Sequence, residues 1–121
     1  MAKTIEQQRA AHALEHVQSV GSGKKFTSVA NGLPTMIHTN GLGQAIAFCK
    51  GKGESQYEEI VAMLADWLCG TGKPFAGTRP EEILQTITQK DMHTYMLAQA
   101  EAMAYLLWVK KFAKALIGEG D

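Results

Sequence analysis

The longest periodic stretch of this sequence lies at its C-terminal end. Between residues 92 and 117, apolar side chains recur at steps of three and four, the spacing of one face of an α-helix. Asp91 precedes the stretch and is a good N-terminal cap. The pattern predicts a long helix of roughly 40 Å. Its expected core face consists of Met92, Tyr95, Met96, Ala102, Met103, Leu106, Val109, Ala113 and Leu116.

The remaining sequence also favours helices. Apolar residues follow a helical repeat in residues 5–20, and no segment alternates with the period of two that is typical of strands. The 121 residues are enough for one core. We therefore expect a single domain over residues 1–121, an all-α, compact bundle of about six helices with a long C-terminal helix.

Several local signals predict where the helices begin and end. A helix that starts at Lys24 should break or kink at Pro34, which cannot donate a backbone hydrogen bond, and a short helix should follow to about His38. Further boundaries are expected at residues that cap helices. These are a C-terminal cap at Gly51 and helix starts at Ser55 and Thr78.

Residues 39–48, Thr-Asn-Gly-Leu-Gly-Gln-Ala-Ile-Ala-Phe, contain an unusual helix start. Asn40 is expected to be the N-terminal cap, with Gly41 and Gly43 in the first turn. Two glycines there disfavour the helix by roughly 1 kcal/mol each relative to alanine. The compensation is close approach, either of a neighbouring helix, which we favour, or of a phosphate. A nucleotide fold is not supported, because no third glycine or Gly-Lys-Ser/Thr follows.

Composition limits the class of protein. The formal net charge is zero, but residues 1–53 carry six basic against two acidic side chains, and residues 54–101 carry three against eight. No apolar run approaches the ~20 residues of a membrane span, and the N-terminus lacks a signal-peptide core, so we expect a cytoplasmic protein without a membrane partner. Cys49 and Cys69 are isolated and are expected to be reduced thiols. No cofactor is indicated.

One short motif could hold a metal. His12, Glu15 and His16 match the His-x-x-Glu-His pattern of zinc peptidases, in which two histidines one turn apart bind the metal and the glutamate is the general base. A third ligand would come from Glu81, Glu82 or Glu101. Because short motifs match by chance, we favour two half-exposed histidines on an amphipathic helix and predict no metal. No paired nucleophile and base is visible, which argues against an enzyme.

Lysines interleaved with aromatic residues form a second candidate site. Such residues can neutralise phosphates and stack on unpaired bases. From composition alone, we favour a solvated helix face with the aromatic rings turned inward. The residues concerned are Lys24, Lys25 and Phe26, then Phe48, Lys50 and Lys52, and finally Trp108, Lys110, Lys111, Phe112 and Lys114.

Residues 33–48, Leu-Pro-Thr-Met-Ile-His-Thr-Asn-Gly-Leu-Gly-Gln-Ala-Ile-Ala-Phe, with Lys-Gly-Lys-Gly at 50–53, carry a family resemblance. They resemble the signature of the small α-helical subunit, the fifth, of the Cmr-type (type III-B) CRISPR RNA-silencing complex. Arg9, residues 13–15 and residues 95–115, including Trp-Val-Lys-Lys-Phe-Ala at 108–113, agree with it. The small subunit of a type III-A complex is the related alternative, and a zinc hydrolase is a less favoured one.

The resemblance implies a helical, non-catalytic subunit. Its partners would be the other Cmr subunits, copies of itself in a filament, and the phosphate backbone of guide RNA and target RNA. The family often has arginine at the position of His38, where charge would here depend on pH. The implied RNA-binding residues are Lys24, Lys25, His38, Lys50, Lys52, Lys110 and Lys111, and the signature turn would comprise Asn40, Gly41, Gly43 and Gln44.

Overall fold

The structure, a computed structural model, describes residues 2–120 and contains only helices and connecting segments in that range. Six α-helices and one short 3-10 helix follow one another along the chain. They are α1 (Ile5–Gln18), α2 (Lys24–Asn40), α3 (Leu42–Lys52), α4 (Ser55–Leu68), the 3-10 helix (Pro80–Glu82), α5 (Ile83–Gln89) and α6 (Met92–Leu116). The prediction of an all-α bundle with a long C-terminal helix is confirmed.

Helix α6 lies at the centre of the packing. It makes its most extensive contacts with α1 and α2, and it also touches α3 and α4. Asp91 accepts a hydrogen bond from the N–H of Thr94 at 2.8 Å, which confirms it as the cap. The largest fully buried side chains come from all parts of the bundle and form one core. They include Phe26, Ile37, Leu42, Ile46, Ile60, Leu64, Leu68, Phe75, Ile83, Tyr105 and Leu106.

Both ends of α6 carry exposed side chains that the sequence predicted to be in the core. Met92, Met96 and Leu116 are exposed, at 78%, 63% and 51%, whereas the middle of the helix is buried as expected. The first turns of α6 contact α3 through Tyr95 and Gln99, so the two methionines remain outside that contact. Apolar periodicity alone does not show where the neighbouring helices stop.

Helix α2 runs through Pro34, so the predicted break is wrong. Proline in a helix interior costs about 3 kcal/mol. The apolar face of α2, which includes Phe26, Leu33 and Ile37, is buried against α4 and α6. Each such side chain contributes roughly 1.5–3 kcal/mol on burial. Packing of the whole face therefore exceeds the local penalty, and the helix continues.

Two predicted caps move by one or two residues. Gly51 lies inside α3, which ends instead at Gly53, where a positive φ of 67° closes the helix. Ser55 is the first helical residue of α4 rather than its cap, because the carbonyl of Glu54 accepts from the N–H groups of the first turn. An isolated glycine or serine in a sequence does not indicate the exact residue at which a helix begins or ends.

The predicted cap at Thr78 lies one residue too early, because Arg79 is the cap of the helix that begins here. The Thr78 hydroxyl donates to the carbonyl of Phe75 at 2.7 Å and so serves the preceding turn. The 3-10 helix begins after Arg79, with Pro80 in its first position, where the missing N–H costs nothing.

No helix in the described part of the chain is both long and apolar enough to cross a membrane.

Candidate nucleic-acid interface

The signature turn joins α2 to α3 at a single residue, Gly41. Its φ of 89° and ψ of 159° suit glycine, and its N–H donates to the carbonyl of Ile37. Asn40 is the last residue of α2, so its predicted role as the cap of α3 is wrong. The first N–H groups of α3 are instead bound by side chains of α6. Gln99 Oε1 accepts from Leu42 and the Tyr95 hydroxyl accepts from Gly43, each at 2.9 Å.

The two glycines of the turn make room for α5 and α6. A Cβ added to Gly41 would lie 3.3 Å from the Tyr95 hydroxyl oxygen, and one added to Gly43 would lie 3.1 Å from Ile87 Cγ2. The structure thus agrees with the neighbouring-helix alternative. The N–H groups of Leu42 and Gly43 already donate to Gln99 and Tyr95, so they are not available to a phosphate. Asn40 and Gln44 flank the turn with exposed side chains.

Lys24 and Lys25 are exposed in the first turn of α2. Gly23 caps this helix without a side-chain hydrogen bond, so the lysines add to the positive end of the helix dipole. Lys24 Cε lies 3.7 Å from where a Cβ of Gly118 would be. This places the pair beside the end of α6. His38 is exposed in the last turn of the same helix.

Lys50 and Lys52 occupy the last turn of α3, and both are exposed. The Lys52 ammonium lies 5.1 Å from the ring centre of Phe48 and 5.9 Å from that of Tyr57, within cation–π range. Lys50 lines a groove of about 430 Å³ whose other walls include Glu58, Asp66 and Glu81. Its charge is therefore partly offset by carboxylates.

Lys110 and Lys111 lie on α6, the first half-buried and the second exposed. Lys111 lines a smaller groove with Glu6, Leu107 and Trp108. The rings of Trp108 and Phe112 are 5.6 Å apart and pack against the core. This agrees with the interpretation that the two rings face inward.

The lysines and the arginines differ in their partners. Within residues 2–120, none of the six lysines discussed above forms an ion pair within 4.0 Å, whereas both arginines do. Arg9 Nε and Nη2 donate to the carboxylate of Glu101 at 2.6 and 2.9 Å, and Trp67 Nε1 donates to the same carboxylate at 2.8 Å. Burial opposes ionisation of Glu101, but these donors lower its pKa overall. Sequence reasoning missed this network.

The two histidines of the motif lie beside the carboxylate of Asp66, which the sequence did not indicate as a ligand. His12 Nε2 lies 2.7 Å from Asp66 Oδ2, and His16 Nε2 lies 3.7 Å from the same oxygen. None of the three predicted third ligands joins the cluster, and Glu101 is bound to Arg9 and Trp67. Burial lowers the pKa of His12, against the opposing effect of Asp66.

A family model described as CRISPR-associated protein (Cas_Cmr5) matches residues 5–116, which span all six helices. The chain belongs to the Cmr5 family. This confirms the Cmr-type resemblance and sets the type III-A alternative aside.

Individual Cmr5 relatives agree in length and fold. A CRISPR system Cmr subunit Cmr5 of Thermus thermophilus is 28% identical over 121 residues, covering 97% of this chain and 99% of the relative. A subunit of the same description from Thermotoga maritima is 26% identical and covers 96% and 87%. The crystal structure of a Cmr5 family protein from Thermus thermophilus matches with a TM-score of 0.80 at 27% identity, over 96% of this chain and 99% of that one.

Membership of the Cmr5 family makes this chain a subunit of the Cmr CRISPR complex. The groups that could serve such a subunit are the exposed lysines at the ends of α2 and α3 and along α6.

Proposed function

We propose that this Cmr5 subunit is a non-catalytic part of the complex, acts in the cytoplasm, and helps hold the duplex of guide RNA and target RNA. The observation that carries the proposal is that the arginines have carboxylate partners within the chain, whereas the six lysines discussed above do not. Arg9, whose planar fork could read base edges, is held by the Glu101 carboxylate, and Arg79 has only the more distant Glu82 at 3.8 Å. The six lysines Lys24, Lys25, Lys50, Lys52, Lys110 and Lys111 form no ion pair within residues 2–120, so their ammonium groups could neutralise phosphates.

Lysine contacts suit a complex that must accept any target. A lysine ammonium binds phosphate as a point charge and reads no sequence. Phe48, which lies beside Lys52 at the end of α3, is 45% exposed and would offer a weak stacking surface to a base. The subunit would thus contribute affinity without sequence preference. Sequence selection would be left to base pairing.

We further propose that copies of the subunit stack in a filament. One side of α6 exposes Met92, Met96 and Leu107, which lie within about 60° of one another around the helix axis. Glu58 and Glu81 line the groove beside α4 and make no ion pair among residues 2–120. An apolar strip and an acidic groove suit head-to-tail contacts that do not close. The isolated subunit would then be a monomer or weak oligomer that binds RNA feebly.

The test uses the complex assembled with this subunit and measures capture of a complementary target RNA against salt concentration. Alanine replaces the lysines Lys24, Lys25, Lys50, Lys52, Lys110 and Lys111. If all six contact phosphates, the salt slope should flatten by about four to five units per copy, at roughly 0.7–0.9 per contact.

Lys3 and Lys90 provide the matched control, since neither belongs to the six lysines proposed to contact phosphates. Alanine at these two positions should leave the slope unchanged. An unchanged slope in the six-lysine variant, with assembly intact, would remove the phosphate-contact proposal. Loss of assembly in that variant would instead show that these lysines face protein subunits.

A further inference from the structure

Three metal-binding side chains from two helices converge near the surface of the bundle. His12 and His16 lie one turn apart on α1, and Asp66 comes from α4. Their nearest ligand atoms all lie within 4.8 Å of one another. We propose that His12 Nε2, His16 Nε2 and the Asp66 carboxylate bind one divalent transition-metal cation of the zinc type. This site is independent of the RNA-binding role proposed above.

The spacing is close to that of a zinc site. Bonds of about 2.0–2.1 Å in a tetrahedron place neighbouring ligand atoms about 3.4 Å apart. Asp66 Oδ2 is 2.7 Å from His12 Nε2 and 3.7 Å from His16 Nε2, so the distances bracket that value. The Asp66 side chain is 57% exposed, which leaves it free to rotate by the fraction of an ångström required. The two imidazole rings stack 4.0 Å apart on the helix.

The second nitrogen of each imidazole already has a partner. His16 Nδ1 lies 2.9 Å from the backbone carbonyl of His12, to which it can only donate. This tautomer leaves the Nε2 lone pair of His16 available. His12 Nδ1 lies 2.6 Å from the hydroxyl of Tyr105, a buried residue whose oxygen can accept its proton. Hydrogen bonds of this kind orient metal-binding histidines and set their tautomer.

Cation binding requires the proton of the His12 ring to move from Nε2 to Nδ1. Without metal, His12 Nε2–H donates to Asp66. On binding, the ring proton resides on Nδ1, toward Tyr105, and the Nε2 lone pair and the carboxylate oxygen both face the cation.

The donor set indicates the class of cation. Two imidazoles and one carboxylate suit Zn²⁺ and its neighbours in the transition series, whereas Ca²⁺ and Mg²⁺ prefer oxygen ligands. Three protein ligands leave a fourth position for water, as in open zinc sites. Asp66 also lines the 430 Å³ groove beside α4, so the site borders an accessible space.

The experiment titrates the tag-free protein with Co²⁺, whose visible absorption reports coordination, and with Zn²⁺ by calorimetry. The wild type should bind one equivalent with a tetrahedral cobalt spectrum and no thiolate charge-transfer band. His16→Asn and Asp66→Asn should each weaken binding at least tenfold. His38→Asn, which removes an exposed histidine on α2, should bind as the wild type does.

Three results would overturn the proposal. The first is the absence of saturable one-to-one binding by the wild type, which needs no variant to interpret. The second is wild-type affinity in Asp66→Asn, and the third is a thiolate band that assigns the metal to Cys49 or Cys69. Circular dichroism of each variant confirms the helical fold before titration. His12 is left unchanged because its ring also packs against Trp67 and Tyr105.

Discussion

Replacing Gly41 by alanine tests the account of the turn between α2 and α3. The φ of 89° and ψ of 159° at Gly41 lie in a region that only glycine adopts readily, which costs other residues about 1–3 kcal/mol. The added Cβ would also lie 3.3 Å from the Tyr95 hydroxyl oxygen. Displacing that hydroxyl weakens its hydrogen bond to the Gly43 N–H, at about 1 kcal/mol. We expect a total loss of about 2–4 kcal/mol.

The matched control is Gly51→Ala in α3, the helix that follows Gly41. Gly51 lies inside α3 with a helical backbone, and nothing lies within 4 Å of an added Cβ. Alanine there should stabilise the fold by about 0.5–1 kcal/mol through backbone entropy. The two substitutions are chemically identical and are predicted to act in opposite directions.

Urea unfolding followed by far-ultraviolet circular dichroism measures both variants. With a slope of about 1–3 kcal/mol per molar urea, Gly41→Ala should lower the midpoint by about 1–3 M. Gly51→Ala should raise it slightly. A midpoint for Gly41→Ala at or above that of the wild type would refute the reasoning, because neither strain nor the contact with Tyr95 would then have a measurable effect.

Two further predictions concern the polar network beside α1. Glu101→Gln should destabilise the fold by about 2–4 kcal/mol in urea, since it removes the mostly buried negative charge beside the poorly exposed guanidinium of Arg9 and leaves only the exposed Glu6 as its charged partner. Glu6→Gln should change stability by less than about 1 kcal/mol, because the Glu6 side chain is mostly exposed. In metal-free buffer, stability should also fall in two stages on acidification. Chiefly because of burial, the pKa of His12 is lowered from 6.5, so the contribution of His12 to stability is present above pH 6.5 and is lost as the pH falls below it. The pKa of Glu101 is lowered from 4.5, so the contribution of Glu101 to stability is lost only below pH 4.5. A single stage in the wild type would contradict the assignment.

Local sequence patterns predicted most of the fold. Apolar periodicity indicated the helical class and the long C-terminal helix, and Asp91 marked the start of α6 because its partner, Thr94, is only three residues away. The same reasoning failed at Pro34, where burial of the whole face of α2 outweighs a local penalty.

The details of the candidate sites depend on contacts between distant residues. Asn40 was expected to cap α3, but the caps are Gln99 and Tyr95, 57 and 52 residues away from the N–H groups that they bind. Asp66 lies 54 residues from His12 and carries no signal of its own in the sequence. Charge and spacing identified the exposed lysines, yet only the structure shows that both arginines already have partners.

The contact between α6 and the start of α3 has a consequence for synthesis of the chain on the ribosome. The N–H groups of Leu42 and Gly43 find their acceptors only in Tyr95 and Gln99, which are translated 52 to 57 residues later. Helix α1 likewise packs mainly against α6, and α2 packs against α6 as well as against α3 and α4. The first half of the chain must therefore wait, incompletely folded, until the last helix emerges. A polypeptide that terminates before α6 would expose most of its apolar faces and be a substrate for chaperones and proteases.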